Sequence, residues 1–128
     1  MLRFRLGDVR ETTVGYGPNT SPPVGSATVY VGAVYNRAVQ FGKPFDAPVG
    51  RILVNCVTLV AGPPDGICTG IAHVPNGFFT FAGDGAFTGY RIDHYGITGE
   101  DGPCVNTRGQ IANLRYFKGG YMTVTLTP

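Results

Sequence analysis

Apolar and polar positions along this chain alternate in short stretches, and each stretch is closed by Gly, Pro, Asn or Asp. That period of two, punctuated by turn residues, is the signature of β-strands. No segment keeps an i, i+3, i+4, i+7 apolar pattern for a dozen residues, so no long helix is predicted. The alternation predicts eight strands. The first covers Met1 to Glu11, and the second runs from Ser26 to Asn36 after a Pro/Asn/Ser loop. A long connection, Gln40 to Val49, leads to the third and most apolar strand, Arg51 to Ala61. The fourth is Ile67 to Val74 and the fifth Phe78 to Ala82, with Gly83-Asp84-Gly85 as a turn. The sixth is Ala86 to Tyr95, followed by a glycine-rich connection from Gly96 to Pro103. The seventh, Val105 to Phe117, turns at Gly119-Gly120 into the eighth, Tyr121 to Thr127.

Many short strands joined by tight turns fit a sandwich or a closed barrel. The third strand is apolar on both faces: Ile52, Val54 and Cys56 point one way, and Leu53, Val57 and Leu59 the other. A barrel explains this if its lumen is filled or holds a ligand while its outer wall packs on a partner. The pattern therefore predicts an all-β protein, with a barrel accounting for the two-faced third strand and a sandwich still open.

The length of 128 residues and mass of 13.6 kDa suit one domain spanning 1–128. Charged residues make up only 14%, against about 25% in an average soluble domain. So little charge leaves little material to coat a free monomer, which favours a homo-oligomer. The net charge of +2, with no basic run, argues against nucleic acid as a partner. No apolar stretch approaches the roughly 18 residues of a membrane span, so no membrane partner is expected. Met1-Leu2-Arg3-Phe4-Arg5-Leu6 carries neither a long apolar core nor a cleavage site. A cytoplasmic protein is expected.

Chemistry-bearing residues are sparse. Three cysteines, Cys56, Cys68 and Cys104, form no zinc spacing, and the odd count predicts buried thiols rather than a disulfide framework. Cys56 and Cys68 fall on neighbouring strands and can face each other. His73 and His94 are the only histidines and sit in no metal-ligand spacing, so no metal is predicted. Serines occur only at Ser21 and Ser26, which leaves a Ser-His-Asp triad little to draw on. Gly83-Asp84-Gly85 precedes a strand rather than a helix, so it is not a phosphate cradle. The sequon Asn19-Thr20-Ser21 lacks a secretory context and is read as chance.

The segment Tyr95 to Ile111 is the most specific in the chain. Ile97-Thr98-Gly99, then Gly102, then Gly109-Gln110 resemble the signature of the allene oxide cyclase and dirigent-type barrels. That family usually reads Ile-Thr-Gly-Gly-Thr/Ser-Gly, an aromatic residue, then Ala-x-Gly. Val49-Gly50 with Cys56 is similar to the family's Val-Gly…Cys strand, and Phe79-Thr80-Phe81-Ala82-Gly83-Asp84-Gly85 to its Phe-x-Phe and Gly-Asp turn. The resemblance covers Val49 to the C-terminus. It implies an all-β, calycin-like eight-stranded antiparallel β-barrel, commonly a dimer or trimer, that holds an apolar substrate in its lumen and needs no metal or redox cofactor. Glu100-Asp101 stands where the family has Gly-Thr, and Cys104 where it has the aromatic. The plant cyclases place a Glu and an Asn on the first strand, and the nearest residues here are Asp8 and Arg10.

Taken together, these features predict a cofactor-independent cyclase or isomerase. It would confine a small, largely apolar substrate, such as a polyketide polyene or a fatty-acid-derived epoxide, and direct stereoselective ring formation. Candidate catalytic groups are Asp8, Cys56, Asp93 and Tyr95. Candidate substrate contacts are Ile52, Val54, Phe79, Phe81, Tyr90 and Arg91. On the sixth strand Arg91, Asp93 and Tyr95 share one face and Tyr90, Ile92 and His94 the other, so only one set can enter a lumen. A solvated Arg91–Asp93 pair on the outer wall stays open as the alternative. The second functional reading is a non-catalytic, lipocalin-like binding protein for an apolar small molecule.

Overall fold

The computed structural model describes residues 2–17, 20–62, 65–75, 77–86, 93–101, 108–114 and 121–127, with side chains described only as far as residue 83 and at 96–99. The architecture is all-β and antiparallel, as the alternation predicts. The strands are β1 (Leu2–Val14), β2 (Ala27–Asn36), β3 (Pro48–Val60), β4 (Asp65–Val74), β5 (Gly77–Ala86), β6 (Asp93–Asp101), β7 (Arg108–Leu114) and β8 (Tyr121–Thr127). Each pairs with the next, and Leu2–Arg5 of β1 pairs with Tyr121–Val124 of β8, which closes the sheet on itself. The inward half of the alternation forms the core: Phe4, Leu6, Tyr30, Val34, Ile52, Val54, Ala72, Phe79 and Phe81 are buried together.

The strand limits depart from the sequence-based expectation at the glycine clusters. Gly83-Asp84-Gly85, expected as a turn, lies within β5 and pairs with Gly66, Ile67 and Cys68 of β4. The sixth strand starts at Asp93 rather than Ala86 and continues through Gly96 and Gly99. The cause is cross-strand packing. Ile97 sits opposite Phe81 and against the core, and Thr98 and Thr80 share a hydroxyl hydrogen bond of 2.9 Å. These contacts hold glycines in extended backbone that their low strand propensity disfavours.

One end of the barrel is sealed by the β2–β3 connection, residues 37–47. Asn36 is fully buried, and its amide Nδ2 donates to the carbonyls of Gln40 (3.0 Å), Lys43 (3.3 Å) and Pro44 (3.3 Å). Gln40 returns the contact, donating to Asn36 Oδ1 at 3.0 Å and to the carbonyl of Arg3 at 2.7 Å. The ring of Phe41 stacks on Phe4 at 6.2 Å. A buried amide that answers several loop carbonyls is costly to remove, because those acceptors have lost water. Asn36→Ala is expected to cost about 2–3 kcal/mol, read as a lower midpoint in urea unfolding. An unchanged midpoint would show that the loop does not depend on Asn36.

Candidate functional site

The interior changes character from this sealed end to the opposite one, and a single extra residue in β1 decides how. Gly7 pairs with Ala33 and Arg10 with Val31, so Asp8 and Val9 together oppose Gly32 alone. This is a β-bulge, and because side chains alternate, it inverts the face of everything after it. Asp8 carries the strain at a φ of 54°, a left-handed conformation that Asp tolerates better than most residues. Before the bulge Phe4 and Leu6 point inward; after it Val9 does. A side chain on Gly32 would meet Val9 Cγ2 at 2.9 Å, so Gly32 leaves the space that Val9 fills.

The inversion corrects one expected site residue. Asp8 is exposed on the outer wall, where it accepts a hydrogen bond of 2.9 Å from the Tyr35 hydroxyl. That bond to a carboxylate raises the Tyr35 pKa above its ordinary value. Arg5 lies over the Tyr35 ring at 4.2 Å and pairs with Asp46 at 3.0 Å, which anchors the cluster outside. Asp8 therefore does not reach the lumen. Glu11 takes that place: it pairs directly with Tyr30, whose side chain is buried in the core, so both project from the same face of the sheet. Glu11 itself is exposed, at the end of the barrel opposite the Asn36 seal. Thr13 follows on the same face, opposite Thr28.

Polar groups gather at this end. The hydroxyls of Tyr16 and Thr28 share a hydrogen bond of 2.5 Å. Ser26 Oγ lies 3.1 Å from Thr58 Oγ1 and also donates to the Pro23 carbonyl at 2.6 Å. Thr28 and Thr58 are fully buried. Below them the wall is apolar. One ladder row runs from Glu11 through Tyr30, Val54, Gly70 and Phe81 to Ile97. Strands in a barrel tilt, so such a row descends from the rim into the interior. At its centre the Phe81 ring covers Gly70, where a Cβ would collide with the ring.

The expected contacts Ile52, Val54, Phe79 and Phe81 are thus brought together, each nearly inaccessible to solvent. Phe79 and Phe81 lie 6.4 Å apart and tilted at 45°. Cys56 shares this interior, yet it is no free thiol. Cys56 and Cys68 are direct cross-strand partners with Cα atoms 4.0 Å apart, and they form a disulfide. This overturns both the expectation of reduced, buried cysteines and the assignment of Cys56 as a catalytic group. The antiparallel register placed the pair face to face, which the odd cysteine count obscured. Asp93 and Tyr95 lie in β6, where Asp93 pairs with Leu114 and Tyr95 with Ile111. Their side chains, together with residues Tyr90 and Arg91, lie outside the described set.

Glu11, Tyr16, Tyr30 and the buried threonines were missed in the sequence. The available signal was Gly7-Asp8, a glycine and a turn-prone residue inside an otherwise alternating strand, which marks a bulge.

No family profile and no curated protein sequence matches the chain. Solved structures do share its fold. A pyocyanin demethylase superposes with a TM-score of 0.78 at 17% identity, over 98% of each chain. A nonspecific heme-binding cyclase that catalyses a (4 + 2) cycloaddition during neoabyssomicin biosynthesis superposes with a TM-score of 0.65 at 14% identity. That match covers 98% of this chain and 59% of the cyclase, so this chain spans well under two thirds of it. Identities this low speak to the fold alone. Among the described residues no helix is long and apolar enough to cross a membrane.

The disulfide closes a loop of 12 residues in sequence separation, which constrains the unfolded chain by roughly 2–3 kcal/mol. Peptide mapping without reductant is expected to recover the Cys56 and Cys68 peptides as one linked species. Reduction is expected to lower the unfolding midpoint accordingly. Alkylation of both cysteines in the folded, unreduced protein would refute the pairing.

Proposed function

We propose that this protein is a cofactor-independent cyclase or isomerase with an allene oxide cyclase-like, dirigent-like barrel. It confines a small, largely apolar molecule in the lumen and steers ring formation there. The observation that carries this reading is the graded interior: aromatic and branched side chains of Ile52, Val54, Phe79 and Phe81 in the middle and, among the described side chains, a carboxylate and hydroxyl groups gathered toward one end. A flexible polyene or epoxide held against such a wall loses the conformations that lead to other products, and orientation of this kind supplies several kcal/mol of a barrier, about 7–11 in favourable cases. Polar groups at the rim then stabilise the charge that develops as a bond forms. Asp93 and Tyr95 of β6, Glu11 of β1, and Tyr90 and Arg91 are the groups we assign to that task. Two enzymes with the same fold, one of them a cyclase acting in natural-product biosynthesis, support the reading.

A second reading, a non-catalytic carrier of an apolar ligand, is favoured by the loss of two expected catalytic groups. Asp8 faces outward and Cys56 is bonded to Cys68. We also propose that the chain is a homo-oligomer. Val31, Leu53 and Ile71 form one apolar row on the outer wall, and Ala27, Val57 and Ile67 a second. Val31 and Ile67 are exposed at 43% and 49%.

Native mass spectrometry separates these cases. The protein is measured as purified, then after mixing with apolar carboxylic acids and polyketide-like polyenes. A multiple of 13.6 kDa carrying one ligand per chain is expected, with a polyene isomerised or cyclised on incubation. Saturable binding of an unchanged ligand would establish the carrier. An empty species indifferent to every compound would overturn both readings.

A further inference from the structure

Glu11 gives the lumen a direction, and with it a preference for one kind of ligand. This inference rests on the reading of the lumen as a binding site. Three observations meet at Glu11. The bulge at Asp8–Val9 turns it to the face it shares with Tyr30, at the separation of directly opposed strand residues. Its carboxylate makes no hydrogen bond or ion pair with any described residue, whereas Asp8 and Asp46 are both engaged on the outer wall. The ladder row that begins at Glu11 continues into Val54 and Phe81. A molecule lying along that row has its body against an aromatic ring and its end beside an anion.

Among the described side chains, the other end of the interior offers no equivalent. There the polar atoms of Asn36 are consumed by the 37–47 loop, and Phe4 and Phe41 stack across it. A polar head placed at that end would be buried without a partner, which is costly. A head placed at Glu11 meets a carboxylate beside Tyr30, with the hydroxyls of Tyr16 and Thr28 close by.

We propose that the lumen takes an aromatic or polyene ligand whose single polar head donates hydrogen bonds, an amine or a phenol-like hydroxyl, and that this head sits at Glu11. A carboxylate head is disfavoured by the same charge. The preference is local rather than a property of net charge, because Arg10, the next residue, pairs with Val31 and faces the outer wall.

Three probes with one ring system and different heads test this: 1-naphthylmethylamine, 1-naphthalenemethanol and 1-naphthaleneacetate. Each is titrated by calorimetry at neutral pH and low salt. The amine is expected to bind about tenfold more tightly than the acetate, with the alcohol between, because one head is attracted to an exposed carboxylate and the other repelled. In Glu11→Gln, which keeps the shape and removes the charge, amine and acetate are expected to agree within about threefold. Arg10→Gln, a change of one charge on the outer wall, is expected to leave the tenfold ratio in place. Acetate binding as tightly as the amine, unaffected by Glu11→Gln, would overturn the proposal while leaving lumen binding intact. An equal shift from Arg10→Gln and Glu11→Gln would also overturn it. No binding of any probe would overturn lumen binding itself, and this inference with it.

Discussion

A sheet closed into a ring has one inside, and side chains enter it with a period of two. Every feature of this protein's interior depends on that constraint. β2 obeys it without interruption: Thr28, Tyr30, Gly32, Val34 and Asn36 are all buried. β1 obeys it in two phases, joined by one unpaired residue. Without the bulge, Phe4 and Leu6 would be followed inward by Asp8 and Arg10, two charges in an apolar core with no partner described there. Desolvating them would cost far more than a local kink. With the bulge, Val9 fills the core over Gly32, Asp8 joins Tyr35 outside, and the strand can still deliver a carboxylate, Glu11, where the interior becomes polar.

The two ends of the barrel answer the same physical problem differently. Backbone groups of a long connection need partners when they approach a core. At one end a single side chain, Asn36, supplies them and so fixes residues 37–47 over the opening. At the other, hydroxyl-bearing side chains pair among themselves, Tyr16 with Thr28 and Ser26 with Thr58. Hydroxyls can donate or accept by rotating. The first arrangement is committed to the fold, and the second retains the capacity to meet a ligand.

Much of the fold was legible because alternation survives any particular packing. β2, β4 and β8 begin and end within two residues of where the pattern places them. The inward set Ile52, Val54, Phe79 and Phe81 follows from the same counting together with the parity of the family that the sequence resembles. What was illegible depends on register. Glycine marks both a turn and a strand that must bend, and only the partner strand tells them apart, as Gly83 and Gly85 opposite Cys68 and Gly66 show. The Cys56–Cys68 bond has the same origin: the sequence puts the two cysteines on neighbouring strands where they can face each other, but each also reads as a small buried hydrophobe, and only the β3–β4 register makes them direct partners. Glu11 is illegible for a third reason. Its face is set by a bulge upstream of it, so counting from the start of the strand assigns the wrong neighbour.

The disulfide bears on what chemistry the interior can perform. With Cys56 bonded, the described part of the deep lumen presents hydrocarbon, aromatic rings and a disulfide, and none of these transfers a proton. Under the proposed reading, selectivity in that region comes from the shape that Ile52, Phe79 and Phe81 impose. Under the same reading, proton movement and charge stabilisation belong to the polar end, where Glu11, Tyr16 and Tyr30 lie. That division, a rigid apolar mould below and titratable groups above, suits a reaction whose difficulty is the choice of conformer rather than the breaking of a strong bond. It also explains why one carboxylate, turned inward by one extra residue, can decide which end of a ligand is held at the rim.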